Sequence, residues 1–174
     1  MARGSLLFSA LLTAALSVGA ATSVAASDAD GESVELLDWS ALVPEGWQPS
    51  VPDMSSFFHD PSAPAGAQSG FDAPTVETLQ NKRVALEGWL VPLEIERAER
   101  YHEFLLVPYF GACYHVPPPP ANQIVHLFVE DGVPHEELWE PQRVTGRMRI
   151  EPLVTDLAAA AYRMEDATAK VAQW

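Results

Sequence analysis

Basic residues are scarce in this chain. Its 174 residues hold 10 Lys and Arg against 24 Asp and Glu, for a formal charge of -14 at pH 7. Phosphate backbones and anionic bilayers would be repelled by that charge, which argues against nucleic acid and anionic membrane partners. Solubility accounts for the acidity without any acidic site. Cysteine occurs once, as Cys113, so no intrachain disulfide can form. An unpaired thiol in an oxidising compartment calls for burial, metal ligation, reactivity or an intermolecular bond. The chain also lacks a G-x-S-x-G elbow, a Gly-rich phosphate loop and a convincing carboxylate pair, which argues against an ordinary hydrolase or nucleotide enzyme.

Long apolar runs are missing except at the start. Arg3 is the only charge before Asp28, and residues 6–21 are apolar, interrupted by small residues such as Ser9, Thr13 and Gly19. Val24-Ala25-Ala26 ahead of Ser27 satisfies the small-x-small rule of a signal-peptidase site. The run is rich in Ala, Ser and Thr, where a membrane span needs roughly 20 strongly apolar residues. Residues 1–26 are therefore read as a cleaved secretory signal, and the protein as periplasmic, with no membrane insertion after cleavage. No Cys lies near the cleavage point, so no lipid is expected there. The remainder is long enough for one domain with a modest core.

Residues 27–74 read as an irregular Pro/Gly-rich strap, although Val34–Leu42 has helical spacing that Pro44 ends. Trp47, Phe57 and Phe58 suggest that the strap packs on a domain. Thr75–Gln80 predicts a short helical turn at the start of a barrel domain, 75–174. Strands are predicted at Arg83–Val91, Glu103–Val107, Gln123–Val129 (closed by an Asp131-Gly132 turn) and Pro141–Ile150. Gly88 and Gly146 inside two of them mark bends or bulges, as where a sheet curls. Thr155–Ala161 reads as helical with Thr155 as N-cap. Tyr162–Val171 suits either a helix or a last strand, and the strand is taken. The sum is a mainly β, five-stranded OB-like Greek-key barrel with short marginal helices.

The chemistry concentrates between the second and third strands, from Pro108 to His126. Loops that long in a small barrel tend to be functional. Pro117–Pro120 fix φ and stiffen the segment, lowering the entropy cost of holding Cys113 and His115 in place. Two residues apart in extended chain, those side chains share a side. A thiolate and an imidazole suit Zn²⁺ or Cu⁺, with His126 on the next strand as third ligand. Other readings stand beside this one. Cys113 can be a small buried hydrophobe or a nucleophile activated by His115, and His126 a hydrogen-bonded structural histidine. His59, His102 and His135 carry no distinguishing spacing. Asn122 and Gln123 suit loop carbonyls, and the prolines could dock into an aromatic groove.

The string Gly111-Ala112-Cys113-Tyr114-His115-Val116-Pro117-Pro118-Pro119-Pro120-Ala121-Asn122-Gln123 resembles the hallmark of DUF3299, a family of exported bacterial proteins of unknown function. Trp39–Pro44, Gly88–Leu93 and Val144–Gly146 ahead of Tyr162–Met164 are similar to it as well, so the likeness spans about residues 36–171. The resemblance implies an OB-like periplasmic protein, lipid-anchored in some members, and brings no activity. The leading expectation is a non-enzymatic accessory that binds Zn²⁺ or Cu⁺ through Cys113, His115 and His126 and serves a membrane transporter. The alternative is a metal-free interaction module of an envelope complex in which Cys113 merely packs. A thiol enzyme ranks third.

Overall fold

Alternation along residues 83–92 sets the frame. Val84, Leu86 and Leu90 point to one side and are at most 4% exposed, while Glu87 and Trp89 point to the other. The computed structural model describes residues 33–49, 68, 70, 72–94, 97–113 and 118–173. Its strands are β1 (Glu35–Leu36), β2 (Arg83–Pro92), β3 (Arg100–Val107), β4 (Val125–Pro134), β5 (Gln142–Val154) and β6 (Ala159–Val171). Short 3-10 turns lie at Trp39–Leu42, Glu77–Leu79, Ala121–Gln123 and His135–Trp139. No helix among the described residues is long and apolar enough to cross a membrane.

The strands close on themselves. β2 pairs antiparallel with β5 through residues 83–88 and with β3 through residues 89–92. Antiparallel β3–β4, parallel β4–β6 and antiparallel β5–β6 complete a five-stranded ring, with β1 parallel to β2 outside it. This is the OB-like barrel expected from the sequence. Gly88 sits where β2 changes partner. A Cβ there would lie 2.4 Å from the Val107 carbonyl oxygen and 3.0 Å from Trp39, so the strands approach closely only because the side chain is absent. Gly146 does the same against Met164, at 2.5 Å, opposite a register shift in β6 where Asp166 has φ +50°. The extra residue bends the strand, as bulges do at barrel corners.

The barrel interior holds Leu86, Phe104, Leu106, Leu127, Val144, Met148 and Tyr162, all fully buried. Leu42 plugs it from the 3-10 turn at Trp39–Leu42. That turn is tied down by Trp39, whose indole N–H donates to the Glu87 carbonyl at 2.7 Å, and by Tyr162, whose hydroxyl donates to the Leu42 carbonyl at 2.8 Å. A second, smaller cluster lies on the outer face: Val91, Leu105, Val107, Ala112, Ile124, Ala158 and Ala160.

Several expectations are corrected. Residues 155–161 are not helical. Thr155 does cap, but its hydroxyl accepts from the amides of Leu157 and Ala158 and donates to the Ala158 carbonyl, which closes the β5–β6 hairpin. Ala158 and Ala160 then pack in the outer cluster while Ala159 and Ala161 face the interior. A strand buried on both faces at a tight place needs small side chains, and this outweighs alanine's helical propensity. Over residues 34–42 the expected helix resolves into β1 and a 3-10 turn capped by Asp38, whose carboxylate accepts from the Ser40 amide at 2.8 Å. The third barrel strand begins at Val125, because Ala121–Gln123 is a 3-10 turn. The strand also runs past Asp131-Gly132 to Pro134. The bulge at Gly132 (φ +64°) is stapled by Arg100, which donates to the carbonyls of Asp131 and Gly132. Residues 1–26, the expected signal, and Phe57, Phe58 and His59 lie outside the described residues.

Candidate functional site

The Pro108–Ile124 connection turns back on itself through two left-handed residues, Gly111 (φ +80°) and Cys113 (φ +70°). Its far half is pinned by side-chain amides. Gln68 donates to the Pro119 carbonyl at 2.6 Å and pairs with both the amide and the carbonyl of Ala159. Asn122 donates to the Pro74 carbonyl and Gln123 to the Trp39 carbonyl, the loop-satisfying role their residue types suggest. His115 lies outside the described residues.

Cys113 is partly buried against the outer apolar cluster. Burial pushes its thiol up to about 11 from an ordinary 9.0. Roughly one thiol in ten thousand is then ionised at pH 7, the opposite of what an activated nucleophile needs. His126 points outward, between the inward Val125 and Leu127, and is 9% exposed. Its Nε2 lies 2.8 Å from a Glu103 carboxylate oxygen. In register it faces Leu105 on β3 and Arg163 on β6. Leu105 belongs to the cluster on which Cys113 packs, so the fold brings Cys113 and His126 to one outer face. Among the described residues no three His, Cys, Asp or Glu side chains are grouped closely enough to hold a metal.

What the loop does build is a cleft. Phe110, Gly111 and Ala112 face β2 residues 89–92 across it, and the 3-10 turn His135–Trp139 closes its other side. The cavity measures about 380 Å³, within the range of small-ligand sites. Rings dominate its walls: Trp89, Tyr101, Phe110, His135 and Trp139. Phe110 and Trp139 stand at the rim, 55% and 64% exposed, with centroids 6.2 Å apart. Tyr101 packs 5.9 Å from the His135 ring. The His135 Nδ1 is buried and makes no hydrogen bond among the described residues. Among the described residues no Asp, Glu, Lys or Arg lines the cavity. Sequence reasoning passed over these residues because they come from four separate elements. The available signal was the Tyr109-Phe110 pair directly ahead of the loop motif.

The ring, its strand order and the loop-built cleft define an OB-like barrel protein. The family model described as "Protein of unknown function (DUF3299)" matches residues 39–171, and the chain belongs to that family. A solved relative is a DUF3299 family protein from Pseudomonas aeruginosa PAO1, 39% identical, with a TM-score of 0.69 over 81% of this chain and 99% of that one. No curated protein matches the sequence.

Proposed function

We propose that this protein is an exported, non-catalytic binding module of the bacterial periplasm that serves a membrane transport system. It takes the apolar part of a ligand into the cleft between β2, the Phe110-Gly111-Ala112 turn and the His135–Trp139 turn. One observation carries the reading: the motif-bearing loop walls an apolar, ring-lined cavity and leaves Phe110 and Trp139 exposed at its mouth. Exposed aromatic rings around a concave apolar surface favour ligand capture over solvation. The protonated Cys113 thiol fits packing in this account, with no covalent step.

Titration with the neutral hydrophobic fluorophore Nile red tests it. Saturable one-to-one binding should weaken at least tenfold in Phe110→Ala and Trp139→Ala and hold in Phe128→Ala, which alters an exposed ring away from the cleft. Equal binding by all four proteins, or none by the native one, would refute the assignment.

The Zn²⁺ or Cu⁺ reading keeps one supporting observation, the shared outer face of Cys113 and His126. Such a site would need His115 as well. The ion would have to displace the Cys113 proton and take His126 through Nδ1 or in place of Glu103. Stoichiometric Zn²⁺ or anaerobic Cu⁺ binding, lost in both Cys113→Ser and His126→Ala, would establish it. Binding indifferent to both changes would remove it.

A further inference from the structure

We infer that the cleft recognises a quaternary ammonium group. The inference rests on the reading of the cleft as a binding site and narrows the chemistry of its ligand. Anions are opposed by the overall charge of -14. The turn that supplies His135 and Trp139 also carries Glu136 and Glu137 and runs directly into Glu140. A cation is favoured by that field, but the wall decides which kind. A primary ammonium brings three N–H donors and a guanidinium five. Among the described lining residues only Tyr101 and His135 carry side-chain acceptors, and the Tyr101 hydroxyl already accepts from the Ala98 amide. Burying unmatched donors costs more than the cavity returns. A quaternary ammonium has no donors to satisfy, and its diffuse charge is attracted to aromatic ring faces. Trp89, Tyr101, Phe110 and Trp139 supply four rings around one cavity of about 380 Å³. That volume takes a trimethylammonium head with a two-carbon arm.

The probe is choline, and its uncharged isostere 3,3-dimethyl-1-butanol isolates the charge. By calorimetric titration of the protein, choline should bind at least tenfold tighter than the isostere and than ethanolamine. Phe110→Ala and Trp139→Ala should each weaken choline at least tenfold; both rings are exposed, so neither change empties the core. Phosphatidylcholine vesicles distinguish the sources. Co-sedimentation that free choline competes away points to a lipid headgroup, and choline binding without vesicle binding points to a soluble ligand. Either outcome supports the chemistry. Choline binding no tighter than the isostere, or binding unchanged in both variants, overturns the inference. If Nile red still binds the cleft in that case, the binding-module reading survives; if Nile red fails too, both fall.

Discussion

Replacing Gly88 by alanine tests whether barrel closure depends on the close approach of β2 and β3. The added methyl would sit 2.4 Å from the Val107 carbonyl oxygen, 3.0 Å from the Trp39 ring and 3.2 Å from Leu106 Cδ1. Comfortable carbon contacts begin near ~3.5 Å, so the worst overlap is roughly 1 Å. Neither neighbour yields easily. Val107 pairs with Trp89, the first rung between β2 and β3, and Trp39 is held by its hydrogen bond to Glu87. Overpacking of this kind costs about 1–3 kcal/mol, and loosening the Trp89–Val107 rung adds about 1 kcal/mol. Alanine's lower freedom in the unfolded chain returns about 0.4–1 kcal/mol. The net expectation is a loss of about 2 kcal/mol, or roughly 4–8 °C in Tm for a domain of this size.

Urea unfolding followed by tryptophan fluorescence measures it, with the midpoint falling at unchanged slope. Gly46→Ala is the control. Gly46 has φ +78° and no atom within 4 Å of the Cβ position, so only backbone strain, about 1 kcal/mol, applies. Gly88→Ala within about 0.5 kcal/mol of the native protein, or milder than Gly46→Ala, would refute the argument.

Two further outcomes follow from buried polar groups. The folded Cys113 thiol titrates at about 11 against 9.0 when unfolded, so the folded state holds its proton more tightly. Stability from this group is intact below pH 9 and is lost as pH rises toward 11, by about 1–2 kcal/mol for a thiol that solvent partly screens. Iodoacetamide rates against pH should show a midpoint near 11 for native protein, and a midpoint below 9 would contradict the burial. Tyr162→Phe removes a hydroxyl that donates to the Leu42 carbonyl and accepts from the Val76 amide. It should cost about 1–3 kcal/mol in urea unfolding, and a neutral result would show that water replaces both bonds.

The middle of β2 was legible because its burial is one-sided there. Leu86 and Leu90 are buried and alternate with the half-exposed Glu87 and Trp89, and the interior glycines of β2 and β5 announce the bends that close the ring. Residues 158–161 were illegible for the converse reason. Four alanines buried on both faces carry no alternation, and Thr155 presents the hydroxyl geometry of a helix cap while capping a hairpin. The loop motif was visible as a string, but the cleft it builds was not. Trp89, Tyr101, Phe110, His135 and Trp139 converge through the strand order β2–β3–β4 and the turn that follows, a long-range arrangement that no local pattern encodes. Cys113 and His126 were picked out by residue type. Their shared outer face follows from the β3–β4 register, and the protonated thiol from a burial that spacing does not reveal.

The place of β6 in the ring has a consequence in time. It pairs with β4 on one side and β5 on the other, and it follows every other strand in the sequence. Before Ala159–Val171 docks, β4 and β5 each present an unpaired edge, and Leu127, Val144 and Met148 lack the wall that covers them. The β5–β6 pairing is a local hairpin, whereas the parallel β4–β6 pairing is non-local and so slower to form. A chain in which β6 has not yet docked on β4 therefore has an open ring with two unpaired edges. A truncation inside β6 would arrest it there and favour edge-to-edge association over a smaller folded barrel.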